Sequence, residues 1–145
     1  MKAIVQRVSS ASVQVNGNVI GQCGVGLLVL VAAHKDDGVA NAEKMADRIK
    51  GLRIFNDSEG KMNLSLAEVA GEVLAVSNFT VYGETAKGRR PSFVESAHFD
   101  HGELMFNRFV TALRNLGVRV ETGEFGANML VSLVNDGPVT VIVET

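Results

Sequence analysis

The chain has one cysteine, two prolines, one tyrosine and no tryptophan. A single thiol, Cys23, excludes an intrachain disulfide framework and suits a reducing compartment. Two prolines against fifteen glycines exclude a proline-rich linker and point to many turns in a β-rich plan. Long apolar runs are also missing. The longest, Val25 to Ala33 with its glycine, is far shorter than the roughly 20 residues a membrane helix needs. The opening MKAIVQRVSS lacks the apolar centre of a signal peptide. A cytoplasmic location with no membrane partner is therefore expected. Excess positive charge is absent as well: the formal net charge is −2. That excludes a general attraction to nucleic acid, so any RNA contact must come from a local patch and be salt-sensitive. No DNA partner is expected.

What is present reads as one domain over residues 1–145. A chain of this length buries roughly 70% of its unfolded surface, and 46% hydrophobic residues is ordinary for a globular fold. Ala3 to Val8 and Ser12 to Ile20 read as strands joined by a tight Asn16-Gly17 turn, with Val13, Val15 and Val19 on a buried face. Leu27 to Ala33 is apolar almost throughout, as in a strand covered on both faces. Asp36-Asp37-Gly38 offers a helix start, and Val39, Ala42, Met45 or Ala46, Ile49 and Leu52 follow at helical spacing. Leu52 to Phe55 is extended and Val73 to Val81 is a central strand. Asp100, with Glu103 three residues on, suggests a capping box for a second helix, which should stop at Gly117. Val118 to Glu121, Met129 to Val134 and Val139 to Val143 complete the pattern. The expectation is a layered α/β domain of the β/β/α type, with about seven strands and two helices and mostly antiparallel pairing at its ends.

The stretch Leu74 to Phe93, LAVSNFTVYGETAKGRRPSF, carries the strongest chemical signal. Ser77 and Asn78 interrupt an apolar strand, and a buried hydroxyl or amide without a partner costs about 1–3 kcal/mol. They must therefore bond either protein or ligand. The loop that follows holds Lys87, Arg89 and Arg90, the densest cationic cluster of the chain. A polar notch beside a small cationic loop suits an anionic substrate whose reactive end enters a groove; an edge strand with a solvated turn explains the same residues. Near the C-terminus, VSLVNDGPVTVIVE places two β-forming runs around Asn135-Asp136-Gly137-Pro138. Proline lacks an N–H, so Gly137-Pro138 should mark a bulge, a turn or a cis peptide.

With VSNFTVYGETAKGRRPSF and NDGPVT both in view, the chain resembles the D-aminoacyl-tRNA deacylases, of the D-tyrosyl-tRNA deacylase type. The similarity extends from MKAIVQRV through LRIFNDSEGKMNLSL to VNDGPVT. One departure is that Asn78 and Val81 stand where the family has glutamine and leucine; Asn78 keeps the amide but shortens its reach by one methylene. The resemblance implies two β layers with a helical layer, a homodimer with active sites at the interface, and hydrolysis of the D-aminoacyl ester of tRNA, glycine included. It implies a catalytic stretch Ser77, Asn78, Phe79 and Thr80, whose main-chain N–H groups stabilise the oxyanion while the ribose hydroxyl of the terminal adenosine assists. It further implies substrate contacts at Arg7, Phe125 and Met129, tRNA contacts at Lys87, Arg89 and Arg90, and a Gly137-Pro138 dipeptide that enters the partner's site and excludes L side chains. No cofactor and no metal are implied.

Other features have plainer readings. His98-Phe99-Asp100-His101 sits at a helix start without a further cluster to complete a metal site. His34 is a lone titratable group in a turn. Cys23 has no neighbouring base. Arg7, flanked by strand residues, fits a surface position and a functional one equally well. Two other functions fit the residues: a non-catalytic RNA-binding module that stacks bases on Phe79, Tyr82 or Phe93, and a threonine-dependent hydrolase of small D-esters or peptides.

Overall fold

A computed structural model describes residues 1–145. Eight strands and two helices follow in order: β1 (Lys2–Val15), β2 (Asn18–Cys23), β3 (Gly26–Ala32), α1 (Val39–Gly51), β4 (Phe55–Asn56), β5 (Met62–Leu64), β6 (Glu72–Ser77), α2 (Phe99–Asn115), β7 (Val120–Thr122) and β8 (Leu130–Glu144), with a 3-10 turn over Phe79–Tyr82 after β6. The main sheet is ordered β2-β1-β3-β6-β7, and β8 pairs along the free side of β1. Pairings of β1 with β2, β3 and β8 are antiparallel, whereas β3–β6 and β6–β7 are parallel. The layered α/β expectation is met, in a mixed sheet that nearly closes into a barrel.

Closure follows from small residues and local hydrogen bonds. Asn16 and Gly17 both take positive φ, 50° and 80°, as a two-residue hairpin requires. β2 then comes against β7: a Cβ at Gly21 would sit 2.5 Å from the Thr122 carbonyl oxygen, and the Gln22 N–H donates to Glu121 at 2.7 Å. The long strand β1 serves both layers. Ala3 and Val5 face the helices, while Val8, Ala11 and Val13 face the opposite core. The change of face coincides with register breaks against β8 between Gln6 and Val8 and between Val8 and Ser10, the local effect of a bulge.

β3 divides the two cores, as a strand buried on both faces should. Leu27, Val29 and Val31 pack with Met45 and Ile49 of α1 and Phe106, Phe109 and Leu113 of α2. Leu28, on the other face, packs with Val8, Val13, Leu74 and Val76.

Several expectations need correction. The central strand ends at Ser77 instead of reaching Val81, because Asn78 caps a 3-10 turn. The runs 129–134 and 139–143 form one strand, β8, since both pair with β1. Val19 is exposed. The second helix begins at Phe99 with His98 at its cap and no side-chain capping bond, so Asp100 and Glu103 form no capping box. α1 is held at its start by Asn41, whose Oδ1 accepts the Gly38 N–H at 3.0 Å.

Candidate active site

The end of β6, the start of α2 and the loop between β7 and β8 enclose a cleft of about 810 Å³. Each wall has a local cause. The parallel pairing of β6 with β3 ends as the Asn78 N–H donates to the Val31 carbonyl at 2.9 Å. Asn78 Oδ1 then accepts both the Thr80 N–H (3.2 Å) and the Thr80 hydroxyl (2.6 Å), so the chain turns sharply instead of extending. The first N–H of a helical turn has no partner within it, and the Phe79 N–H is left without one in the chain. Ser77 Oγ, likewise without a partner in the chain, opens onto the cleft.

The opposite wall is aromatic. Phe125 meets Phe99 edge-on with ring centroids 5.1 Å apart and also contacts Phe106 at 6.1 Å. Two glycines permit this packing. A Cβ at Gly126 would lie 2.5 Å from the Phe99 ring, and one at Gly123 would lie 2.4 Å from Met129 Sδ.

The cleft lining contains no Asp, Glu, His, Cys, Lys or Arg. The nearby Met1 ammonium has its donors taken up by Asp37 (2.8 Å) and by the Thr145 carbonyl and hydroxyl (3.0 and 3.2 Å). Burial, reinforced by Glu72, pushes the Cys23 thiol up to about 11, which keeps it from acting as a thiolate nucleophile. Polar chemistry in the cleft therefore rests on Ser77, Asn78, Ser96, Asn128, Gln6 and main-chain groups.

Ser77, Asn78, Phe79, Phe125 and Met129 are thus brought together around one cleft. Thr80 is exposed, and its hydroxyl proton points to the Asn78 amide rather than to a base. Arg7 is not at the surface. It is 7% exposed and donates to the Asp136 carbonyl (2.7 Å), the Ile54 carbonyl (2.7 Å) and Asn56 Oδ1 (3.1 Å). Its guanidinium is committed to the base of the Asp136-Gly137-Pro138 segment and lies outside the cleft lining.

That segment bulges from β8, with the Gly137-Pro138 peptide cis. Asn135 closes it by accepting the Val139 N–H and donating to the Val139 carbonyl, both at 3.0 Å. Gly137 and Pro138 are exposed and do not line their own chain's cleft. Lys87, Arg89 and Arg90 project from a loop beyond the 3-10 turn and also lie outside the lining. Sequence reasoning missed Ser96, Ala97, Phe99 and Asn128, which come from loops and a helix end without a motif; the glycines flanking Phe125 are the signal that could have marked their surroundings.

The segment carrying Ser96 and Ala97 is tied to the end of β3. The Ala97 N–H donates to the Ala33 carbonyl at 2.9 Å, and Glu95 bonds Lys35 (3.0 Å) and His34 (2.8 Å). The hydrogen bond from Lys35, followed by that from His34, holds the Glu95 carboxyl below its usual 4.5. A depressed folded-state value stabilises the fold above 4.5, and that contribution disappears as pH falls through the lowered value. Glu95→Gln is accordingly expected to lower the urea midpoint by more at pH 7 than at pH 3. Equal shifts at both pH values would contradict this attachment.

His101 Nε2–H donates to the Asp37 carbonyl at 2.9 Å, and no three His, Cys, Asp or Glu side chains converge as metal ligands. No helix is long and apolar enough to cross a membrane.

Comparison with known proteins gives the same family over the whole chain. The family model described as D-Tyr-tRNA(Tyr) deacylase matches residues 4–144. A D-aminoacyl-tRNA deacylase of Desulfatibacillum aliphaticivorans is 54% identical, covering 100% of this chain and 99% of that protein. One of Thermotoga petrophila is 52% identical, covering 100% and 97%. Among solved structures, one described as c-Myc DNA Unwinding Element Binding Protein superposes with a TM-score of 0.94 at 38% identity, covering 100% of this chain and 99% of the other. A probable eukaryotic D-amino acid tRNA deacylase shares the fold at a TM-score of 0.86 and 20% identity, covering 99% and 98%. The match over the whole length of the chain places it in the D-aminoacyl-tRNA deacylase family, hydrolases of the ester bond between a D-amino acid and tRNA.

Proposed function

We propose that the cleft receives the 3′-terminal adenosine of D-aminoacyl-tRNA and hydrolyses its ester without a protein base. The observation that carries this reading is the absence of any ionisable side chain from the cleft lining. An aminoacyl ester is already activated, so positioning and oxyanion stabilisation supply much of what hydrolysis needs. Water attacks the ester carbonyl carbon, the Phe79 N–H takes the developing oxyanion, and the ribose oxygen leaves with the proton. The hydroxyl beside the ester on the same ribose assists the proton transfer. Phe125 and Met129 form the apolar wall against the nucleoside, and Asn78 keeps the turn in shape.

Discrimination against L-amino acids is assigned to Gly137-Pro138 of a second copy. β8 exposes Leu130, Leu133, Val134 and Ile142, apolar side chains spread over both of its faces and available to a two-fold contact. Leu133 also lines the cleft, so exposed apolar surface of β8 borders the cleft. That this loop reaches outward from β8 without lining its own cleft supports its entering the partner's. Main-chain carbonyls there would hold the α-amino group, leaving room for a hydrogen or a D side chain, and glycine esters are hydrolysed for the same reason.

Light scattering should find a dimer at micromolar concentration, and mixed dimers test the crossing directly. Ala127→Trp fills the cleft. Gly137→Ala places a Cβ 2.1 Å from the Val139 nitrogen and displaces the loop. Each variant alone should be inactive. Unfolding and refolding them together should restore about a quarter of wild-type activity, because half of the dimers then contain one intact composite site. An active monomer, or mixtures that recover nothing although both variants fold, would contradict the shared site.

A further inference from the structure

Phe79 has a feature that the chemistry of its N–H does not use. The residue is 58% exposed although it lines the cleft. Phe93 meets it edge-on, with ring centroids 5.1 Å apart and planes at 72°, which supports the ring and leaves a face open to solvent. Gly83 makes room for this pair: a Cβ there would lie 2.9 Å from the Thr80 carbonyl oxygen and 3.0 Å from the Phe93 ring. Just beyond, Glu84 and Ser92 exchange two main-chain hydrogen bonds of 2.8 and 2.9 Å. They close a loop whose tip carries Lys87, Arg89 and Arg90. All three cations are exposed, and none forms an ion pair within the chain.

We propose that the Phe79 ring, propped by Phe93, stacks the nucleobase immediately 5′ of the terminal adenosine, while the Lys87-Arg89-Arg90 loop holds the adjoining phosphates. A rigid aromatic face beside unpaired cations is the combination that binds unpaired nucleic acid, the base lying on the ring and the backbone along the positive charge. Phe79 also lines the cleft, so a strand whose last nucleoside occupies the cleft has this ring within reach. This inference rests on the reading of the cleft as the site for the 3′ end.

The test compares D-aminoacyl-tRNA with the corresponding D-aminoacyl-adenosine, which lacks the stacked nucleotide and its phosphates. Phe79→Leu should lose about 5- to 150-fold more kcat/KM on the tRNA ester than on the adenosine ester, mainly through KM. Phe79→Tyr, which keeps the ring, should restore the tRNA rate. Arg89→Ala should flatten the salt dependence on tRNA alone, by about 0.7 in the slope of log K against log salt. Equal losses on the two substrates would assign Phe79 a purely structural role and overturn the platform. A wild-type protein that hydrolyses neither ester would instead overturn the reading of the cleft itself, so the two failures are distinguishable.

Discussion

Removing the 2′-hydroxyl of the terminal adenosine from a 3′-linked D-aminoacyl-tRNA is expected to slow hydrolysis by about 10²–10⁴-fold, the range typical of a positioned proton-transfer group. Thr80→Val, by contrast, is expected to keep activity within about tenfold, a loss of at most one good hydrogen bond. The contrast comes from the cleft. A threonine nucleophile needs an adjoining base, and the Thr80 hydroxyl has only the Asn78 amide oxygen, 2.6 Å away, as its partner. His34 is engaged with Glu95 at 2.8 Å and His101 with the Asp37 carbonyl at 2.9 Å. No titratable side chain replaces them in the lining. The substrate hydroxyl next to the ester is within reach whenever the nucleoside is bound. Single-turnover hydrolysis of the deoxy and ribo esters measures the first effect. A trapped acyl-Thr80 species, or full activity on the deoxy ester, would contradict the assignment.

Arg7→Met should be nearly as damaging, for a different reason. The substitution preserves the apolar stem but leaves the Asp136 and Ile54 carbonyls and Asn56 Oδ1 without their donor. Each orphaned acceptor costs about 1–3 kcal/mol when it cannot reach water. Partial exposure of this loop reduces the sum, so about 2–5 kcal/mol of stability should be lost, read from urea midpoints. Activity on the D-ester should fall further than the fold does, by about 10²-fold in protein that remains folded, because a displacement near 1 Å at a positioning element has that effect. Arg7→Lys should not rescue it, since an ammonium cannot serve acceptors on two sides as a planar guanidinium does. Wild-type rates in folded Arg7→Met would show that this residue does not position the Asp136-Gly137-Pro138 segment.

Arg7 also shows where the sequence stops being informative. Its partners lie 47, 49 and 129 residues away, and no local pattern distinguishes a buried arginine with remote acceptors from a solvated one. Signals that depend on neighbours in sequence were legible: the Asn16-Gly17 hairpin, the doubly buried β3 and the apolar face of α1 at Ala42, Met45, Ala46 and Ile49, although Val39 is exposed. The extent of β6 was not. Val81 keeps strand character, yet the Asn78 side chain takes the Thr80 N–H and ends the strand. The continuity of β8 was hidden for a similar reason, because its two halves are joined only by their common pairing with β1. At the cleft, the polar notch at Ser77-Asn78 was readable as an anomaly in an apolar run. The cleft-facing places of Phe125 and Met129 came from family resemblance alone, and Ser96, Phe99 and Asn128 needed the tertiary fold.

Purified protein offered D- and L-aminoacyl-tRNA carrying the same side chain, with the glycyl ester alongside, tests the central claim most directly. A cleft without a protein base, with the closure by a neighbour's main chain proposed above, should release the D-amino acid and glycine and leave the L-ester at its spontaneous rate. Hydrolysis of the L-ester at a rate comparable to the D-ester, or tight binding of both with no turnover, would contradict the account.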